Sequence, residues 1–530
     1  MTEDPSPVSH PVASLVGELE RRDLLRSVLA AGAVPLGDVH IRGVTSDSRA
    51  VGPGTLFVAV VGQHADGHDY ARAAVEAGAP AIVAERAVPG VDVPQLLVHA
   101  ARPALAVAAS WVNDFPSHRL GIVGITGTDG KTTTAHLVRA MLQGCGLPAG
   151  LVGTIDVIVG GQSLGNPGRS TTPEAPELQS HLAAMVGAGD AFAVIESTSH
   201  GLAQDRAVEV AYDVAVLTNL THEHLEFHGT HEAYRAAKRR LFELLTESQS
   251  NPEKGFGKTA VINRDDQWAD EFIKTAQTAN ARLITYGADP SATADVRATT
   301  VREDASGMTI SVETPRWSDQ VTLQLAGRFN VYNALAAISV AEALALDPAA
   351  VRAALAGVAG VRGRMERIVQ GQPFTVIVDY AHTPDSLAKV LDGLAPLAAA
   401  GGGSLVCVFG SAGDRDVLKR PMMGRIAGER CRLVVVTDED PRSEDREVIL
   451  EQIAAGAEAV GKRHDHDLWL IADRATAIAR ALEMARAGDV VLLAGKGHEQ
   501  SIELRDGPIP WDEATAARAA LTKMGYVAPA

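Results

Sequence analysis

"GTDGKTTT", residues 127–134, follows directly on the apolar run "LGIVGIT" at 120–126. A phosphate-binding loop needs a strand, a turn of exposed backbone N–H groups, a lysine and a helix start. Residues 120–142 supply all four in that order. Gly127 and Gly130 permit the tight backbone, with Thr128 and Asp129 between them. Lys131 reaches outer phosphates, and the hydroxyl of Thr132 or Thr133 suits Mg²⁺. Ile125 stands where the longer G-x-x-x-x-G-K-[ST] pattern has its first glycine, which leaves G-x-x-G-K-T-T. An ordinary Gly-rich turn is the competing reading. The strand, the Gly-Lys pair and a triple Thr opening a helix together favour ATP.

The surrounding chain is consistent with a multidomain α/β protein. At 530 residues it exceeds what one hydrophobic core serves, and a prior of roughly 150 residues per domain gives about three. Only 4% of residues are aromatic, so Ala, Val and Leu must fill the cores. A net charge of −17 argues against a nucleic-acid or anionic-membrane binder, while a local cationic cluster remains compatible with a phosphorylated ligand. Cys145, Cys407 and Cys431 stand singly in apolar surroundings without metal-ligand spacing, and read as core residues of a reducing compartment. The polar start "MTEDPSPVSHPV" lacks signal-peptide character, and no apolar run is long enough to span a bilayer. The expected location is the cytoplasm, without membrane insertion.

Residues 1 to about 12 are expected to be disordered, followed by one helix over "VASLVGELERRDLLRSVLAAG", ending at Gly32. "TLFVAVVG" (55–62) and "PAIVAER" read as strands around the helix "HDYARAAVEAGA". The second segment adds strands "AFAVIES" (191–197) and "VAVLTNL" (214–220), the helix "AYRAAKRRLFELL", and a long, mostly buried helix in 327–346. "VRGRMERI" (361–368) reads as a linker. Beyond it, "FTVIVDYA", "SLVCVFG", "RLVVVTDE" and "DVVLLAGKG" are strand-like, with unusual residues at their carboxyl ends. Alternating strands and helices imply parallel sheets. The expected domains are 1–116, 117–361 and 362–530.

Several ordered motifs go beyond a generic ATPase: "TSDSRAVGPGTLFVAVVGQHADGHDY", "STTPE", "ESTSHGL", "TNLTHEHLEFHGT", "YRAAKRRLF", "GRFNVYNALAA", "GRMERI", "VDYAHTPDSL", "GDRDVLKRPMMG", "DEDPRSE" and "AGKGHE". With "GTDGKTTT" they resemble the ATP-dependent Mur ligase family across nearly the whole length, and within it the branch that adds the third peptide residue. The resemblance implies a small N-terminal α/β UDP-binding domain, a central parallel-sheet P-loop ATPase domain and a C-terminal Rossmann-like α/β domain. It implies a monomer whose partners are small molecules: ATP, a UDP-N-acetylmuramoyl-dipeptide and a diamino acid. ATP would phosphorylate the D-glutamate carboxylate of UDP-N-acetylmuramoyl-L-alanyl-D-glutamate, and an amine would attack the acyl phosphate.

The same resemblance assigns residues. Lys131, His224 and Lys238 are the catalytic set. Thr132, Glu196, His224 and Lys238 are the Mg²⁺ set, Lys238 as a carbamate formed with CO₂. Read as sequence alone, Lys238 is one cation in a Lys-Arg-Arg run on a helix, normally a solvated face. Asn330, Arg364 and Asp379 join Gly127–Thr133 as nucleotide contacts, although Asn330 also reads as a helix N-cap. Ser46, Ser48, Gln63 and His64 would hold uridine diphosphate. Ser170, Thr171, Thr172, Thr198, Gln204 and Arg206 would hold the muramoyl-dipeptide. Arg415, Glu439, Asp440, Arg442, Gly495 and Glu499 would hold the incoming amino acid. Diaminopimelate-adding members carry D-N-P-R, and here the residues are Glu439, Asp440, Pro441 and Arg442. Arg442 favours meso-diaminopimelate, while the extra acid Asp440 points toward lysine or ornithine. A folylpolyglutamate-synthetase-like ligase is opposed by "SDSRAVGPGTLFVAVVG" and "EDPR". A non-catalytic relative is opposed by Lys131, Glu196, His224 and Lys238 being intact.

Overall fold

The computed structural model describes residues 9–30, 34–62, 65–166, 170–221, 225–247, 254–291, 293–304 and 307–527. The chain forms two compact units, Met1–Val296 with Ala336–Asp347, and Arg297–Leu335 with Pro348–Ala530.

Among the described residues the first unit contains an N-terminal sheet, a central sheet and the two-stranded pair of His10–Pro11 with His40–Ile41. The N-terminal sheet has the order Leu25–Leu29, Gln95–Val98, Ile82–Ala84, Thr55–Val58, Gly43–Thr45, parallel except at its first strand. The expected single helix over 12–32 is corrected here. The helix is Val12–Arg21, Asp23 takes a left-handed φ of 54°, and Leu25–Leu29 pairs with Gln95–Val98. Local helical spacing lost to a partner strand about 70 residues away. The expected disorder to residue 12 is also too long, because His10–Pro11 already pairs with His40–Ile41. Residues 1–8 lie outside the described residues.

The central sheet positions the nucleotide loop. From its antiparallel edge the order is Gln162–Ser163, Val157–Val159, Ala149–Val152, Phe192–Glu196, Gly121–Thr126, Val214–Leu217, Thr259–Asn263, Arg282–Gly287. The strands from Ala149–Val152 onward are parallel. Both faces of the middle strands are buried, which is why they read as unbroken apolar runs. Glu196 lies opposite Ile125 on one neighbour of the loop strand, and Leu217 opposite Thr126 on the other. Three adjacent strand ends therefore converge on residues 127–132.

The second unit has the sheet Glu366–Ile368, Thr375–Asp379, Val490–Ala494, Leu405–Phe409, Leu433–Val436, Leu468–Leu470. It is parallel apart from Glu366–Ile368, an antiparallel edge strand inside the stretch read as a linker. An antiparallel meander, Val296–Asp304, Gly307–Glu313 and Ser318–Leu323, was not foreseen from sequence. The expected long helix is Phe329–Ala343. Cys407 and Cys431 do not stand singly: they share one core, and burial pushes the Cys407 thiol well up. No helix among the described residues is long and apolar enough to cross a membrane.

Candidate active site

Strand Gly121–Thr126 leads through the loop into helix Lys131–Gly144. Gly127 has φ 148°, and a Cβ there would lie 1.9 Å from Thr218 Oγ1, so the close approach requires glycine. The loop is strapped to the neighbouring strand end. Thr128 N donates to Asn219 O at 2.7 Å, Asp129 N to Asn219 Oδ1 at 3.0 Å, and Thr218 Oγ1 to Asp129 O at 2.7 Å. Gly130 (φ 80°) caps the helix, and Lys131, Thr132 and Thr133 form its first turn. Their amides have no intrahelical acceptor, which makes this turn an anion site. Lys131 Nζ curls back onto Gly127 O at 2.9 Å and Thr128 O at 2.8 Å.

Glu196 is fully buried. Its Oε2 accepts from Thr132 Oγ1 at 2.8 Å and Thr154 Oγ1 at 2.9 Å, and its Oε1 from Thr154 N at 2.9 Å. Glu196 and the two hydroxyls are an all-oxygen donor set, which suits a hard divalent cation. Thr154 was missed by sequence reasoning; the only signal was a lone Thr beyond strand Ala149–Val152. Groups that position a metal-binding carboxylate are worth about 10–100-fold in metal affinity. Thr154→Val is therefore expected to weaken divalent-cation binding beside Glu196 about tenfold, checked by titrating the protein with Mg²⁺. An unchanged midpoint would remove Thr154 from the site. Among the described residues no three His, Cys, Asp or Glu side chains cluster as a metal site. His224 lies outside the described residues.

Lys238 is not on a solvated face. It is 2% exposed, donates to Gly127 O at 2.6 Å, and lies 4.5 Å from the Tyr234 ring centre. Two lysines thus share one loop carbonyl. Converting Lys238 to a carbamate would keep an N–H for Gly127 O while removing the second positive charge, so the surroundings fit that modification.

The residues expected around the dipeptide are brought together. Thr172 Oγ1 donates to Glu196 O at 2.7 Å and lies 3.0 Å from Thr198 Oγ1. Arg206 reaches Ser170 Oγ at 3.1 Å, Thr172 O at 2.8 Å and Gln204 Oε1 at 2.6 Å, and pairs with Glu174 at 2.9 Å. Thr171 Oγ1 lies 3.0 Å from Thr154 Oγ1, tying this cluster to Glu196. In the N-terminal sheet, Ser46 and Ser48 follow the carboxyl end of strand Gly43–Thr45. Gln63 and His64 lie outside the described residues.

In the second unit Asp379, Arg415, Glu439, Asp440, Arg442, Gly495 and Glu499 lie at or beyond the carboxyl ends of parallel strands, whereas Arg364 precedes the antiparallel edge strand Glu366–Ile368 and Asn330 lies on helix Phe329–Ala343. Asp379 is buried, and its oxygens accept Met365 N and Ala381 N, both at 2.9 Å. Burial raises its pKa against the pull of Arg364 and these two amides. Arg364 stacks over Tyr380, 4.8 Å from the ring centre. Asn330 is no N-cap: it sits inside the first turn of Phe329–Ala343 and bonds Ala326 O at 2.7 Å and Asn333 at 2.8 Å.

The loops bearing Arg415 and Arg442 form one body. Arg420 is completely buried and grips Glu444 twice, at 2.8 and 3.0 Å, as well as Ala412 O at 3.1 Å. Gly413 N donates to Asp440 O at 2.8 Å, and Ser443 Oγ to Asp414 Oδ1 at 2.7 Å. Arg415 is exposed and Arg442 half-buried. Glu439 is buried, and its Oε2 has no hydrogen-bond partner among the described residues. Gly495 (φ 101°) faces it: a Cβ there would lie 3.4 Å from that oxygen. Asp440 and Glu499 are occupied differently, both by Lys496, which sequence reasoning passed over. Lys496 Nζ is 2.8 Å from Asp440 Oδ1 and 2.5 Å from Glu499 Oε2.

A phosphate loop with a buried carboxylate beside it, and a second α/β unit with paired cations and acids at its strand ends, define a nucleotide-dependent ligase. Three family models match this chain: "Mur ligase family, catalytic domain" at residues 40–110, "Mur ligase middle domain" at 125–341 and "Mur ligase, glutamate ligase domain" at 363–497. A "UDP-N-acetylmuramyl-tripeptide synthetase" of Roseiflexus sp. (strain RS-1) is 50% identical over 510 residues, 95% of this chain and 99% of its own. A "UDP-N-acetylmuramoyl-L-alanyl-D-glutamate--2,6-diaminopimelate ligase" of Geobacillus kaustophilus (strain HTA426) is 42% identical over 489 residues, 92% of this chain and 96% of its own. A solved structure of a ligase of that second name superposes with a TM-score of 0.67 at 32% identity, covering 93% of this chain and 97% of the other. The chain belongs to the Mur ligase family, and it is an ATP-dependent ligase of three-domain α/β architecture.

Proposed function

We propose that this protein adds an amino acid to a UDP-N-acetylmuramoyl peptide in peptidoglycan synthesis, and that the amino acid is meso-diaminopimelate and the acceptor UDP-N-acetylmuramoyl-L-alanyl-D-glutamate. The observation that carries the amino-acid reading is Glu439 Oε2, a buried carboxylate oxygen without a partner among the described residues, facing Gly495. Such an oxygen is costly unless a cation meets it, and an ammonium of the incoming amino acid supplies one. Arg415 and Arg442, on loops clasped by Arg420 and Glu444, suit carboxylates. Lys496 already neutralises Asp440, so that acid does not call for a further cation from the substrate.

Lys131 and the first-turn amides of Lys131–Gly144 hold the phosphates of ATP. Thr132, Glu196, His224 and Lys238, the last as a carbamate, would hold Mg²⁺, which would supply positive charge to the transferring phosphoryl group. Ser170, Thr171, Thr172, Thr198, Gln204 and Arg206 orient the dipeptide so that its D-glutamate carboxylate accepts that group, forming an acyl phosphate. The ammonium held at Glu439 gives up a proton to become the amine, the amine nitrogen attacks the acyl carbon, phosphate leaves with its bonding electron pair, and the second nitrogen proton is released as the amide forms. Ser46, Ser48, Gln63 and His64 are assigned to uridine diphosphate, and Asn330, Arg364 and Asp379 to the nucleoside end of ATP. These last assignments rest on resemblance. The protein is proposed to act as a cytoplasmic monomer.

An amine panel with phosphate readout tests the reading. Release is expected only with ATP, Mg²⁺, the UDP-dipeptide and a diamino acid together, with meso-diaminopimelate the best substrate. Efficient use of L-lysine or L-ornithine in its place would overturn the choice of amino acid, and stimulation by a folate would overturn the acceptor.

A further inference from the structure

We propose that Lys496 is a specificity-determining residue: it cancels the charge of Asp440, so that the pocket selects a net-neutral diamino acid. This rests on the reading of the chain as a diamino-acid ligase. Lys496 is 1% exposed and directs its ammonium at Asp440 and Glu499. Asp440 Oδ1 also accepts Glu503 N at 2.9 Å, and Glu499 Oε1 accepts Tyr380 Oη at 3.2 Å. Both acids are thus anchored to the protein, and among the described residues Glu439 is the acid of the three with a buried oxygen that lacks a partner. Counted over the residues assigned to the amino acid together with Lys496, three cations (Arg415, Arg442, Lys496) balance three acids (Glu439, Asp440, Glu499), and Arg474, which also acts on Glu439, is cancelled by its partner Glu513. meso-Diaminopimelate carries two ammonium and two carboxylate groups and matches that balance. L-Lysine carries one positive charge more and is favoured only where an acid is uncompensated.

The experiment compares kcat/KM for meso-diaminopimelate and L-lysine in the wild-type protein, Lys496→Met, Asp440→Asn and the double variant. KM values for ATP and the UDP-dipeptide serve as internal references. Lys496→Met leaves Asp440 and Glu499 uncompensated and is expected to raise the lysine-to-diaminopimelate ratio about tenfold, while the reference KM values stay within about twofold. Asp440→Asn leaves Lys496 in excess and is expected to move the ratio the opposite way. The double variant restores the original balance and, with it, the wild-type ratio. A purely structural role lowers activity on every substrate in parallel and leaves the ratio unmoved in all three variants. That result, or a shift of the same sign in both single variants, overturns the proposal. Should Lys496→Met fail to fold, Asp440→Asn and the double variant decide by the same signs. A wild-type protein inactive with both diamino acids overturns the functional reading itself, whereas an active protein with unmoved selectivity overturns only the role of Lys496.

Discussion

Lys131→Ala is expected to lower phosphate release at saturating substrates by about a thousandfold or more, with little change in thermal stability. The size follows from the task. ATP and a carboxylate are both anions, and the transferring phosphoryl group carries its charge between them, so a removed cation is missed most in the transition state. The selectivity of the damage follows from the structure. Among the described residues Lys131 Nζ bonds the carbonyls of Gly127 and Thr128 alone, and the loop is held independently by Thr218 and Asn219. Single-turnover kinetics and a melting curve on the same preparation check both halves. A variant within about tenfold of wild-type turnover would place phosphoryl transfer elsewhere.

Arg474→Met is expected to be the most destabilising single change in the second unit. Arg474 and Glu513 are fully buried, paired at 2.6 Å. The guanidinium also donates to Asp438 O at 2.8 Å and Ala494 O at 2.7 Å, the residues that open the Glu439–Arg442 and Gly495–Glu499 loops. Removing one partner of a buried pair leaves the other as an uncompensated charge, a cost of about 3–5 kcal/mol. Urea unfolding followed by tryptophan fluorescence reads this directly, because Trp511 Nε1 donates to Glu513 Oε2 at 2.6 Å. A loss under about 1 kcal/mol would mean that water relaxes into the site and hydrates Glu513.

The legibility of the sequence varies with the distance over which each feature is determined. The nucleotide loop was readable because strand, turn, lysine and helix start are contiguous, and the structure retains them over Gly121–Gly144. Strand ends carrying Glu196, Asp379 and Glu439 were readable as polar residues closing apolar runs. Thr154, Lys496 and Arg474 were not. Each acts through a partner 42, 56 or 39 residues away, and nothing local distinguishes them. The misread of Leu25–Leu29 has the same origin: its apolar spacing satisfies a helix until Gln95–Val98 competes for it. Lys238 failed in the opposite sense, since its neighbours Arg239 and Arg240 disguise one buried cation as a charged surface run.

The clasp of Arg420 on Glu444 bears on attempts to redesign which building block is accepted. Grafting the 413–424 stretch of a relative without its 438–444 stretch would strand a fully interior guanidinium or its carboxylate. The two stretches are therefore exchangeable as a cassette, and recombination breakpoints placed between them would yield chimaeras that lose folding before they reveal any altered preference.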